Sequence, residues 1–182
     1  MADLNDYTGT WTIDPSHTGI GFVARHAMVT KVRGSFTEFE GTLDLNGADP
    51  SSSSANLTVQ LASIDTGNAD RDGHVKGPDF FDVEKNPTMT FTTTSVKQTD
   101  DDEFVLVGDL TIKGVTKPVE IKVEADGVVT DPFGNTRAGF EGSAEISRKD
   151  FDLTWNVPLD GGGVLVSDKI KIHLDVSAIK NA

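Results

Sequence analysis

Period-two alternation of apolar and polar residues runs through nearly the whole chain, and it leaves little choice of fold class. Thr18, Ile20, Phe22, Ala24 and His26 share one face of the first long run, opposite His17, Gly19, Gly21, Val23 and Arg25. The rhythm returns in Leu57, Val59 and Leu61, in Met89, Phe91, Thr93 and Ser95, and in Phe104, Leu106, Gly108, Leu110 and Ile112. It continues in Val119 to Ala125, Ala138 to Ile146 and Ile170 to Val176. Between Gly34, Phe36 and the later set Phe39, Gly41, Leu43 and Leu45 the phase slips, which marks a bulge in a bent strand. Only Asn68 to about Lys76 reads as helix, and it is short.

About eight antiparallel strands with almost no helix leave a closed barrel or a two-sheet sandwich. The runs are roughly nine to twelve residues long, and glycines and phase slips supply the curvature that closure needs. No Cys…Trp…Cys spacing marks an immunoglobulin domain. The expectation is an all-β fold: a single eight-stranded antiparallel barrel with one short helix in a long connection. All 182 residues form one domain, with the barrel from about Tyr7 to Ile179 and a loop at Leu159-Asp160-Gly161-Gly162-Gly163. A chain of this size buries roughly 70% of its unfolded surface without staples.

Composition removes several function classes. There are 29 acidic against 16 basic residues, a net charge of −13, which argues against nucleic acid or an anionic membrane as partner. With no cysteine, disulfides, thiolate metal sites and cysteine nucleophiles are excluded. No apolar window is long enough to span a bilayer, and the N-terminus lacks a basic region followed by an apolar core, so the chain as written predicts a cytoplasmic protein without stable membrane insertion. No Gly-x-Ser-x-Gly elbow or phosphate-cradling loop is present. Asp72 or Asp79 with His74 would make an acid–base pair, but no nucleophile or oxyanion hole accompanies them. The spacing of His17, His26, His74 and His173 matches no short metal motif. No catalytic residue, metal or cofactor is assigned.

The densest chemistry lies in Arg71-Asp72-Gly73-His74-Val75-Lys76-Gly77-Pro78-Asp79-Phe80-Phe81-Asp82, a long connection of the kind that carries function. On a short helix Arg71 and His74 share one face. They either bind a polar headgroup at the barrel mouth, or Arg71 pairs with Asp72 to pin the connection. Phe80, Phe81 and Met89 either close a cavity from the lid side or anchor the loop. Phe22, Phe36, Phe39, Phe91, Phe104 and Phe140 point inward, as an apolar lining or as an ordinary core. His26, at the end of the same face as Phe22, is a candidate headgroup contact. Trp155, near Arg148, either covers one end of the barrel or plugs it.

Several separated motifs resemble one family. They are Trp11-Thr12-Ile13-Asp14-Pro15-Ser16-His17 with Phe22 and His26, Arg71-Asp72-x-His74 followed by Asp79-Phe80-Phe81-Asp82, and Pro87-Thr88-Met89-Thr90-Phe91. Gly108 through Val119 and Ser147-Arg148-Lys149-Asp150-Phe151 complete the set. In this order they resemble the YceI-like family of polyisoprenoid-binding proteins, over essentially the whole chain. The resemblance implies a lipocalin-like barrel whose elongated apolar cavity holds an isoprenoid or similar long-chain lipid, often as a homodimer and without enzymatic activity. Many members are exported. The reading is carriage of an isoprenoid lipid, a quinone or polyprenyl phosphate, with Arg148 and Trp155 added to the contacts above. Two alternatives stand beside it: a stress-related interaction protein with a filled barrel, and a His-based metal-dependent enzyme.

Overall fold

The computed structural model describes residues 3–159 and 163–182; Asp160, Gly161 and Gly162 of the predicted loop lie outside the described residues. Eight staves close into an antiparallel barrel in which each pairs with the next along the chain. The first is bent, made of β1 (Gly9–Ile13) and β2 (Gly19–His26), and the second likewise of β3 (Thr30–Phe36) and β4 (Phe39–Leu45). The third is β5 (Ser54–Gln60) with the short β6 (Ile64–Asp65). The rest are β7 (Thr88–Gln98), β8 (Glu103–Ile112), β9 (Val115–Thr130), β10 (Thr136–Ser147) and β11 (Lys169–Lys180). β11 closes the ring on both halves of the first stave, pairing Lys180 with Trp11 and Ile172 with Phe22.

The expected phase slip is the break at Thr37 and Glu38 between β3 and β4. One parity expectation fails. A bulge at Thr93/Ser95 shifts the register of β7 against β8, so Val96 rather than Ser95 continues the inward face below Phe91. The extra residue reverses the side-chain alternation beyond it.

The helix α1 (Ala69–Lys76) begins where Asn68, its N-cap, accepts the Arg71 N–H on Oδ1 at 2.9 Å. At the opposite end of the barrel a 3-10 turn, Leu4–Tyr7, folds across the opening, and the fully buried Trp11 donates its indole N–H to Tyr7 O at 2.8 Å.

On the outer wall Arg137 bridges Asp14 (2.8 Å) at the bend of the first stave and Asp131 (2.7 Å) before β10. The Arg137 hydrogen bond is the largest cause that holds Asp14 well below the usual carboxylate range and Asp131 at about 2. Both carboxyls bind protons less readily folded than unfolded, so the pairing stabilises the fold fully above about pH 4 and is lost as pH falls through the folded values. Arg137→Leu is therefore expected to lower the melting temperature at pH 7 and to lose most of that difference near pH 2, measured by thermal melts across pH. An offset independent of pH would show that the ion pairs are not its source.

Candidate functional site

The barrel interior is open. A cavity of about 730 Å³ runs from Leu4 and Tyr7 at the closed end to Arg71, His74 and Trp155 at the other, within the range of small-molecule sites. Its wall is the inward face of the strands, including Phe22, Leu57, Phe91, Leu106, Val123, Phe140 and Ile172. Most of these side chains are only half-buried because they look onto empty space.

Glycines explain why the aromatic rings do not fill the lumen. Phe22 on β2 lies opposite Gly34 on β3, and a Cβ added to Gly34 would stand 2.3 Å from the ring. Phe91 on β7 lies over Gly108 on β8 in the same way, with a hypothetical Cβ at 2.4 Å. Each ring lies flat against a neighbouring strand where no side chain competes for the space.

Of the aromatics expected to point inward, Phe22, Phe36, Phe91, Phe104 and Phe140 line the cavity, as do Phe80, Phe81 and Met89. Phe39 does not. It shares the inward face of β4 with Leu43 and Leu45 and pairs with Val59, but is buried among Ile13, Ile20, Val59, Leu61 and Ile64 rather than against the open space.

The charged lining is confined to one end. Arg25, His26, Asp70, Arg71, His74 and Arg148 all border the cavity where β2, α1 and the 148–168 connection meet. Arg71 is not paired with Asp72. Its Nε donates to Thr66 Oγ1 (2.8 Å) and its Nη2 to Thr66 O (2.7 Å), while Asp72 accepts the Thr66 N–H at 2.9 Å. Thr66 thus holds both residues, and among the described residues Arg71 makes no ion pair. His74 Nε2 lies 2.9 Å from Asp79 Oδ2. The imidazole also meets Phe80 and Trp155 edge-on, at centroid distances of 5.2 and 4.7 Å. Together with the Phe80–Trp155 contact at 5.3 Å, these three rings cap the mouth, so Trp155 covers this end of the barrel.

Arg148 borders the cavity and also ties the mouth together. Only 4% exposed, it donates to the carbonyls of Leu153 (2.7 Å), Trp155 (3.3 Å), Val166 (3.2 Å) and Ser167 (2.8 Å). Burial pushes its guanidinium value down, with Asp168 acting in the opposite sense. Asn156 supports the same connection, its amide pairing with both the N–H and the carbonyl of Val166.

The histidines stay apart. His17 bonds Asp14 on the outer wall, His26 stands at the mouth beside Val166, and His173 faces outward on β11. The group with metal-ligand spacing among the described residues is acidic and exposed: Glu124, Asp126 and Glu141 on the outer wall.

Sequence reasoning missed the floor. Leu4 and Tyr7 line the lower end, seated beside Gly47, where a Cβ would lie 1.8 Å from Leu4 O. The available signal was Asp3 as a cap ahead of two apolar residues three apart.

This geometry can be set beside known proteins. The YceI-like domain family matches residues 11–178. The chain belongs to the YceI-like family. It is 41% identical over 141 residues to the UPF0312 protein plu2095 of Photorhabdus laumondii, covering 78% of this chain and 73% of that one. To protein YceI of Escherichia coli O157:H7 it is 40% identical over 137 residues, covering 75% and 71%. Among solved structures, the YceI protein of Campylobacter jejuni superposes with a TM-score of 0.74 at 30% identity, over 87% of this chain and 90% of that one. The barrel is also shared with Burkholderia cenocepacia BcnA, at a TM-score of 0.78, 24% identity and coverage of 91% and 98%. A polyisoprenoid binding domain from Saccharophagus degradans shares it at a TM-score of 0.71 and 14% identity, over 94% and 98%. The last two likenesses are of fold, and the floor turn Leu4–Tyr7 of this chain lies outside the segment that the family matches.

Proposed function

We propose that this YceI-like barrel binds a single long-chain isoprenoid lipid, tail inward and headgroup at the Arg71–His74 mouth, without transforming it. The observation that carries the reading is the division of the lumen: about 730 Å³ of apolar space with its charged lining at one end. An apolar chain gains about 0.8 kcal/mol for each buried CH₂, so a few isoprene units offset the cost of ordering the ligand. Arg71 gives the mouth its preference. Thr66 holds its Nε and one N–H of Nη2, its Nη1 has no acceptor among the described residues, and a guanidinium edge suits a phosphate or a quinone oxygen. The polyisoprenoid-binding relative with the same fold supports the class of ligand.

The test is native mass spectrometry on gently purified protein, followed by release and identification of whatever is bound. The expected result is an added mass that resolves into isoprene units. Arg71→Met is expected to weaken polyprenyl phosphate by about tenfold, the worth of one charge-assisted hydrogen bond, and to leave the uncharged polyprenol nearly unchanged. A bare chain that stays bare after incubation with quinones, polyprenols and polyprenyl phosphates would overturn the reading.

A further inference from the structure

Asp and Glu make up 29 of the 182 residues, yet none falls between Pro15 and Thr37. That stretch contains β2, β3 and the hairpin that joins them at the rim of the cavity. Strand register assembles its basic residues with those of the neighbouring strand. Lys171 on β11 stands beside Val23 on β2, which stands beside Arg33 on β3. One step nearer the rim, Arg25 on β2 is paired directly with Lys31 on β3, and Lys169 begins β11 on the same side. All five cations are exposed; Lys31, Arg33, Lys169 and Lys171 lie outside the cavity, and Arg25 stands at its rim. Among the described residues none lies within 4.0 Å of a carboxylate. The acid in direct register with the group is Glu145, opposite Lys171, while Asp65 pairs with Ser35 farther from the rim. Like charges placed directly across an antiparallel pair oppose folding. Here Arg25 and Lys31 are kept together in a protein with a large surplus of acid.

The tip of the same hairpin is apolar. Met28 and Val29 are 55% and 77% exposed, and Val157 and Val164 on the adjoining connection are 41% and 37% exposed. Ala27 and Met28 both hold positive φ, 51° and 67°, in a turn closed by the Val29 N–H donating to His26 O at 3.2 Å. Two consecutive residues at positive φ are the place where Asn-Gly is preferred. An exposed methionine in that position marks a site where local stability is given up for something else.

Exposed apolar side chains at a tip with cations behind them fit a surface whose charge is negative outside and whose interior is hydrocarbon. We infer that the β2–β3 hairpin docks the cavity mouth on an anionic lipid bilayer, with Met28 and Val29 entering the interface and Arg25, Lys31, Arg33, Lys169 and Lys171 held against the headgroups. The net charge of −13 keeps the remaining wall away from the membrane and so orients the barrel mouth-down, since exposed fields act over a Debye length of about 10 Å. A nucleic acid would meet the cations but has no use for an apolar tip. As a route for exchange the docking builds on isoprenoid binding; as a binding event it does not need it.

The test is co-sedimentation of the full chain with phosphatidylcholine vesicles, with and without phosphatidylserine and free of any isoprenoid. The expected result is binding to the anionic vesicles that fades with added salt. Lys31→Gln/Arg33→Gln/Lys169→Gln is expected to reduce it by about tenfold or more, and Met28→Ser/Val29→Ser to reduce it at low salt as well. Thermal melts check that both variants fold; relieving the Arg25–Lys31 repulsion should not lower the melting temperature. Equal sedimentation with neutral and anionic vesicles, or unchanged sedimentation of the triple variant, would overturn the docking surface. So would binding to a short DNA duplex but not to vesicles. Isoprenoid loading from detergent solution, measured in parallel, is expected to survive in both variants, so loss of docking and loss of the lipid site give different results.

Discussion

Ala144→Phe is expected to weaken isoprenoid loading by at least tenfold while leaving the protein as stable as before or more so. Ala144 sits on β10 opposite Ile172 and faces the lumen, half-buried against open space. In a packed core an added phenyl ring forces neighbours off their rotamers and costs about 1–3 kcal/mol. In an open lumen the ring gains contacts instead, worth up to about 1.5–3 kcal/mol. The ring also occupies space the ligand needs, so affinity is expected to fall by at least tenfold, on the order of two lost methylene contacts. A thermal melt and a lipid titration read the two effects separately. A variant that melts lower and still loads lipid would mean that the side chains relax into a filled core and that the lipid binds elsewhere.

Arg148→Ala is expected to cost about 3 kcal/mol, roughly a hundredfold in the folding equilibrium, because it leaves buried carbonyls without a donor. The four carbonyls lie on both arms of the 148–168 connection, the segment that carries Trp155 onto His74 and Phe80. Losing the guanidinium therefore loosens the cap as well as the fold, and bound lipid should dissociate faster from the fraction that remains folded. Arg148→Lys is not expected to rescue either effect, since one ammonium cannot reach carbonyls arranged around a planar fork. Denaturant melts with stopped-flow lipid release provide both readouts. A lysine variant with wild-type stability would show that charge alone, rather than the fork, holds the connection.

Much of this architecture was legible in the chain because side-chain parity is a local property. Alternation identifies Ile20, Phe22, Ala24 and His26 as one face without reference to any partner strand. The failures have equally local causes. A bulge at Thr93/Ser95 reverses the alternation and replaces Ser95 with Val96, and Phe39, though on the inward face, is packed among neighbours that close it off from the open space. The partners of Arg71 were hidden because sequence proximity favoured Asp72, whereas the chain entering the helix brings Thr66 back against the guanidinium. The carbonyl partners of Arg148 were hidden as well, since backbone acceptors leave no trace in residue identity.

The sequence by itself determined the all-β class, the number of staves, the inward face of most strands, the short helix with its Arg71–His74 face, and the family. Whether the inward aromatics form a core or a lining was decided only in three dimensions. Parity fixes which way a side chain points, but the width of a barrel follows from how its strands tilt and stagger around the closed ring. Cross-strand register then sets Phe22 over Gly34 and brings Lys31, Arg33 and Lys171 onto one outer face. Those juxtapositions join residues from different strands, and only closure of the ring puts them side by side.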